Sequence, residues 1–565
     1  MSTIDSIDLH IRTYRSALKS TREISINSLV NSYQLMEPTL HLHASDSQID
    51  ISALIYCLLR LPLEIDSTRL VIAGQTPEVF ENALFPNITS WPQTKTKARR
   101  RTLHFNKNTH TLAAFITSIS DIDDLINILI SFQIEWNKIH SKLKESFKTT
   151  PSFSSKLNNL DLLCQSLNLT KSDCLKLQQA FGNTWKKRLL KIYSLKKNFK
   201  FRLLAGSWID YIKTTQKWWK NIAKFTDQSP HISPKNRLHM SRQTIYFVSS
   251  NTHSLSNLIN GFPLKNQSQI LSHLKSNLPD LYLTWQKIQS GESLIHPNDF
   301  LYYSSQFLTN PDFLLAKSKF ELNNSFLNIP TSHYLDTNTQ LFQVKNLTKS
   351  KHLDSRLKIK KPKRLSQSQA LIFNVDYPLG FAAYNLLKEV LSNVKDVKGI
   401  YITGKAATLN SQIGDIQIPR VVFDEHTQNS YMFTNCFNKF FPFTSLNASI
   451  LTEQKAVSVL GTFLQNQALI DKYSQNDLTV VEMESGPFLG VITEATFDSP
   501  VPKGTIVDLN NAPMDIGIIN YTSDTPFAQT KNLGHLGLSL AGIEPVYLSS
   551  LAILQRIITL EESSN

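Results

Sequence analysis

Cysteine is scarce in this chain: Cys57, Cys164, Cys174 and Cys436 are the only four in 565 residues, and no two share the short spacing of a metal-ligand pair. Neither a zinc site nor a disulfide framework is indicated, and buried free thiols are expected. Long apolar runs are also missing. The most apolar stretch, ISALIYCLL from residue 51, is too short to cross a bilayer, and the N-terminus MSTIDSIDLHIR lacks the basic-then-apolar pattern of a secretory leader. The expectation is a soluble, cytoplasmic protein with no membrane partner. No internal repeat stands out at a fixed period. What the chain has is apolar content, 41% of residues, which is ample for real cores, and a length that suggests about three domains.

Its formal charge of +14 is not spread evenly. From Lys186 to Lys224 there are twelve Lys or Arg residues against the single acid Asp210, and from Lys345 to Arg364 there are nine against Asp354. The rest is therefore mildly acidic, and a general nucleic-acid reading of the whole chain does not follow. The first basic stretch carries Trp185, Trp208, Trp218 and Trp219. Lysine with interleaved aromatics can track a nucleic-acid backbone and stack bases, but the helical spacing favours aromatics in a core with lysines facing water.

Periodicity divides the chain into four parts. Residues 1–150 read as α/β, a candidate regulatory domain: DISALIYCLLRLPLE is a helix, TRLVIAG and TLAAFITSI are strands, and a long amphipathic helix follows with Ser120 or Asp121 as its cap. Residues 151–344 read as mainly helical, with one strand-turn-helix at TIYFVSSNTHSLSNLINGF, where Ser249 to Ser254 would start a helix able to hold an anion. Residues 345–369 are basic, polar and aperiodic, an exposed linker. Residues 370–565 alternate strands with helices: ALIFNVD, GIYITG, DIQIPRVVFD, LTVVEME and IGIINYTSD are strands, and LTEQKAVSVLGTFLQNQALIDKY is a helix. This predicts an α/β sandwich with a central twisted sheet, preceded by a larger mixed α/β and helical region.

Four strands in that last part end in polar residues, which is where an open α/β sheet presents a site. They are Asp376, Lys405 after Gly404, the pair Glu482 and Glu484 around Met483, and Asp524. Each acid alone reads as a helix cap or turn residue; four strand ends together read as a site.

The order GIYITGKAATLNSQIGDIQIP, FDEH, VVEMES and SDTPFAQTKNLG resembles the purine nucleoside phosphorylase superfamily, and is most similar to AMP nucleosidases, which also carry an extra N-terminal domain. The resemblance covers about residues 370–560. It implies a phosphorylase-like fold, a purine nucleoside or nucleotide as ligand, a homo-oligomer, and no metal or cofactor. It also implies roles: Glu484 accepts hydrogen bonds from the ribose hydroxyls, Met483 packs on the sugar, Asp524 is the acid toward the purine, Asp376 activates water, and His426 lines the sugar side with Glu482 nearby. Gly486 would let the backbone approach the ligand. Cleaving a purine glycosidic bond passes through a ribosyl cation-like transition state, so carboxylates that hold the sugar and protonate the base suit it.

An acid at Asp376 would repel phosphate, which favours hydrolysis over phosphorolysis. Lys405 departs from the small hydroxyl residue usual after that glycine, and its ammonium suits a 5′-phosphate or another anion. KARRR (97–101) is a candidate site for a nucleotide effector, with Arg99 and Arg100 as its test positions. Three functions stay open: a nucleosidase, a phosphate-dependent phosphorylase, and a binding protein that keeps the nucleoside pocket without turnover.

Overall fold

The computed structural model describes residues 3–19, 22–98, 101–147, 153–154, 157–204, 208–228, 237–329, 335, 337–439, 441–443, 448–525 and 540–563. Two sheets organise them. The first has the strands β1 (Ile24–Ser25), β2 (Leu70–Gly74), β3 (Gln93–Thr94), β4 (Leu103–Asn106), β5 (Thr111–Phe115) and β6 (Lys200–Leu203), in the order β1-β6-β2-β5-β4-β3. Strand β2 runs parallel to both β5 and β6. The helix Ile119–Ser146 is buried on every side from Ser120 to Trp136, its apolar Leu125, Ile128, Leu129, Phe132 and Trp136 along with polar Asp123, Asn127, Gln133 and Glu135, and it forms the centre of this half. Its cap is Ser118, one turn edge earlier than expected. Asp121 instead accepts from the Thr117 N–H and hydroxyl (2.8 and 2.6 Å), and Ser120 reaches across to the other half of the molecule.

The second sheet contains β7 (Thr244–Ser250), β8 (Phe326–Ile329), β9 (Thr339–Gln343), β10 (Leu371–Asp376), β11 (Asp396–Thr408), β12 (Ile416–Asp424), β13 (Asn429–Met432), β14 (Ile450–Ser458), β15 (Val480–Glu482), β16 (Ile506–Asp508) and β17 (Asp515–Asp524). The order is β16-β13-β12-β14-β15-β11-β7-β10-β9-β8, and β17 pairs with both β11 and β12. The strands β12, β14, β15, β11 and β17 thus close a ring of pairings, which removes edges that an open sheet would leave. Helices Ala382–Asn393, Ser485–Phe497 and Ile543–Ser563 cover it, giving the mixed α/β sandwich that the alternation predicts. Leu540–Ser563 has the length and hydropathy of a membrane span, but 78% of that window is buried inside the protein, as befits a core helix.

Several expectations are corrected. The sheet does not begin after residue 370: β7 lies between β10 and β11, and β8 and β9 extend it, so the boundary near 365 cuts through one sheet. Residues 345–369 are folded, not an exposed linker. Leu347, Leu357 and Leu365 are buried, and the Arg356 guanidinium donates to both oxygens of Asp299 (2.9 and 2.6 Å) and to Asp354 (2.9 Å). The expected helix from 451 is the strand β14 followed by a helix at Gln467–Gln475. Glu, Gln, Lys and Ala in TEQKAVS are helix formers, but pairing with β12 and β15 and burial of Ala456 and Val457 override that preference. β6 interrupts the helical reading of 155–225. Trp218 and Trp219 are buried against Phe373, so neither is available to stack on bases. The N–H groups of His253 and Ser254 are taken by the Asn251 side chain (3.0 and 2.7 Å), which fills the expected anion position.

The halves are not separate bodies. One apolar cluster runs from the first sheet into Val457, Val459, Phe463, Tyr473 and Val481 of the second, and Tyr56 meets the Phe463 ring edge-on at 5.2 Å. Backbone joins them too: the Thr39 N–H donates to Gln465 (2.9 Å) and the Asn466 amide donates to Met36 (3.2 Å).

Candidate active site

The turn after β15 is held by its own acid. Glu482 is buried and accepts the N–H groups of Glu484 and Ser485 (both 2.7 Å) and the Ser458 hydroxyl, while the Gly486 N–H donates to Ser458 (2.7 Å). Burial pushes the Glu482 carboxyl up, and those donors oppose the rise. Glu482 also lines the cavity described below, but its carboxylate is engaged in building the turn that starts the helix Ser485–Phe497. Gly486 serves the same packing, not a ligand: a Cβ there would lie 2.6 Å from the Asp424 Cβ. Gly486→Ala is expected to lower stability by about 1–3 kcal/mol, measurable as a lower urea midpoint at unchanged m-value.

With Glu482 committed, the next two side chains turn outward. Met483 and Glu484 are half-buried and line a cavity of about 490 Å³, within the ~300–1,000 Å³ usual for small-molecule sites. The Gly380 N–H reaches Glu484 at 3.3 Å. Gly380 has φ +51, and a Cβ on it would lie 2.4 Å from the Ser120 hydroxyl, which itself accepts the Phe381 N–H at 2.9 Å. The N-terminal half therefore pins the loop that touches Glu484.

On the other side of β11 stands Asp524, the last residue of β17. A register shift between Ala406 and Ala407 sets Asp524 opposite Ala407 and turns it into the same cavity. Burial pushes its carboxyl up to about 6, against a single opposing bond from the Thr525 N–H (2.8 Å). A carboxyl so placed keeps its proton up to about pH 6 and can give it away. Gly404 and Lys405 complete this wall. Nothing lies within 4 Å of where a Gly404 Cβ would stand, so the position leaves open space. Lys405 is exposed to the solvent of the cavity yet enclosed by protein around it. That enclosure first, and Arg60 second, lowers its ammonium below the usual lysine value.

Asp376 and His426 do not line the cavity. Asp376 is buried at the end of β10 and accepts the Tyr377 N–H (3.1 Å); it is Tyr377 that reaches the cavity, its hydroxyl 3.0 Å from that of Tyr521. The His426 ring is 6% exposed, bonded through Nδ1 to Asp424 (2.9 Å) and set against Phe381 at 5.3 Å. The expectation for His426 followed from the resemblance, and that for Asp376 from the resemblance and from its place at a strand end, which fixes the rim but not the direction of the side chain.

The opposite wall comes from the N-terminal half: Thr39, Tyr56, Arg60, Arg101 and Thr117 all line the cavity, and of these only Arg101 falls in the basic stretch 97–101 that the sequence singled out. Arg101 is tied to Asp121 (2.8 Å) and Asp124 (3.2 Å), while Arg99 and Arg100 lie outside the described residues. Among the described residues no group of three or more His, Cys, Asp or Glu could hold a metal ion.

The molecule is thus a mixed α/β sandwich with a carboxylate-lined cavity at its strand ends, the candidate site. The chain belongs to a family of unknown function, DUF6909, whose model matches residues 26–559. No curated protein matches it. Solved structures similar to parts of the chain include uridine phosphorylase from Schistosoma mansoni in complex with thymidine, with 10% identity, 59% of this chain and 88% of that chain covered, and a TM-score of 0.28. Another is purine nucleoside phosphorylase from Toxoplasma gondii in complex with immucillin-H, with 10% identity, 59% and 99% covered, and a TM-score of 0.27. A third is a 5′-methylthioadenosine/S-adenosylhomocysteine nucleosidase from Colwellia psychrerythraea in complex with adenine, with 17% identity, 34% and 78% covered, and a TM-score of 0.23. These likenesses are distant and partial.

Proposed function

We propose that this chain cleaves the N-glycosidic bond of a purine nucleoside or nucleotide, with water as the acceptor of the ribosyl group. One juxtaposition carries the reading: Asp524 and the pair Met483–Glu484, on different strands, face a single cavity of nucleoside-compatible size. The departing purine needs a proton, and a carboxyl held up to about 6 supplies one. The sugar needs acceptors for its hydroxyls and a counter-charge for the cation that forms at its anomeric carbon, and Glu484 offers both, with the Met483 thioether as an apolar floor. Asp376 has no part in this version, because it does not reach the cavity.

Phosphorolysis is the second reading, and a specific observation favours it. Arg60 and Lys405 put two cations into the cavity, and the acid expected to repel phosphate lies outside it. The test is incubation of the purified protein with a panel of purine nucleosides and nucleotides, with and without inorganic phosphate. Free base without added phosphate is the expected result; base release only with phosphate, alongside ribose 1-phosphate, replaces hydrolysis by phosphorolysis. No base release from any member removes both.

A further inference from the structure

We infer that Arg60 and Lys405 form a subsite for a phosphate-type dianion, clasped between the N-terminal sheet and the end of β11. Arg60 is the last residue of the helix Ile51–Arg60, where a cation ordinarily serves only the helix dipole. Its guanidinium lies 3.5 Å from the centroid of the Tyr56 ring, and Nη1 donates to the Tyr56 carbonyl at 3.2 Å. Nε is buried and has no hydrogen-bond partner. Stacking fixes the plane of the fork while leaving a donor unused, an arrangement that costs stability unless something arrives to accept from it.

Lys405 faces the same space from the opposite wall. Among the described residues neither cation makes an ion pair with a carboxylate, whereas the neighbouring Arg101 is matched by Asp121 and Asp124. The two are close enough that Arg60 weakens the hold of Lys405 on its proton. Like charges facing one cavity, neither held in an ion pair with the carboxylates that also line it, are a poor structural device and a good receptor. A planar fork and a point charge on facing walls suit a tetrahedral anion, whose several oxygens accept from both at once, better than a planar carboxylate.

The anion has two sources of the same chemistry, a phosphate ester on the sugar or free phosphate. This subsite extends the proposed function and rests on that reading only for which end of the ligand the sugar occupies. It also gives the N-terminal half a direct hand in binding, distinct from the effector site expected at 97–101.

Calorimetry on the full chain tests it with ribose 5-phosphate, inorganic phosphate and ribose as probes, in wild type, Arg60→Gln and Lys405→Met, with thermal melts to show that each variant is folded. The expected result is binding of ribose 5-phosphate but not ribose to wild type, weakened roughly tenfold or more in each variant. If Arg60→Gln does not fold, Lys405→Met decides alone. No binding of either phosphate compound to wild type, or unchanged affinity in the folded variants, overturns the inference. Tighter binding of ribose 5-phosphate than of phosphate assigns the ester; equal affinity assigns free phosphate. Asp524→Asn is expected to keep ribose 5-phosphate binding, and a wild type that binds this probe but releases no base from any nucleoside or nucleotide refutes the reaction and not the subsite.

Discussion

In Asp524→Asn, release of free purine is expected to fall by about 10²–10⁴-fold with the fold intact. The amide keeps the shape and can still accept the Thr525 N–H, but it has no proton to give to a departing base. The wild-type profile follows from the same group. Its carboxyl is pushed up to about 6 by burial, so the proton-bearing form dominates below that value, and kcat/KM should decline as pH rises through it. Stability moves in the same sense. The folded state holds this proton more tightly than the unfolded chain does, so the contribution of Asp524 is fully present below the unfolded value of 3.8 and is lost as pH rises through about 6. Asp524→Asn should therefore raise the unfolding free energy at pH 8 by an amount on the order of 1–3 kcal/mol, read as a higher Tm, and change it little at pH 4. Full activity in the variant would remove Asp524 from the chemistry.

The two glutamates of VVEMES should behave as opposites. Glu482→Ala strips three buried donors of their acceptor and is expected to cost about 3 kcal/mol or more, a large share of the ~5–15 kcal/mol that holds a typical domain together. Glu484→Gln leaves the turn untouched and should keep the melting temperature. Its loss is functional: about 10–100-fold in kcat/KM, the worth of charge-assisted bonds to a diol. Thermal melts and base-release kinetics on both variants check this. A stable, inactive Glu482→Ala beside an active Glu484→Gln would exchange their roles.

The second sheet was largely legible because its strands carry their own signal. ALIFNVD and IGIINYTSD are apolar runs closed by polar residues, and both are strands ending where the run ends. The site was half legible for the same reason: Lys405, Met483, Glu484 and Asp524 sit where strands stop, and they meet in the cavity. What sequence could not decide was direction. Asp376 and Glu484 look alike on paper, yet one points into the protein and the other into the cavity. Nothing in the sequence marked Arg60 and Tyr56 as lining the cavity opposite Lys405, since that depends on how the two halves dock. Strand β14 was misread because its composition is that of a helix and only its neighbours make it a strand.

The continuous apolar cluster that unites both sheets makes the molecule indivisible. A fragment lacking the first two hundred residues would bare Val457, Phe463 and Tyr473 to water and open the cavity on one side. The shape of the cavity is thus a property of the assembled pair, and a mutation on the far side of the N-terminal helices can alter it without touching the strands that carry the acids.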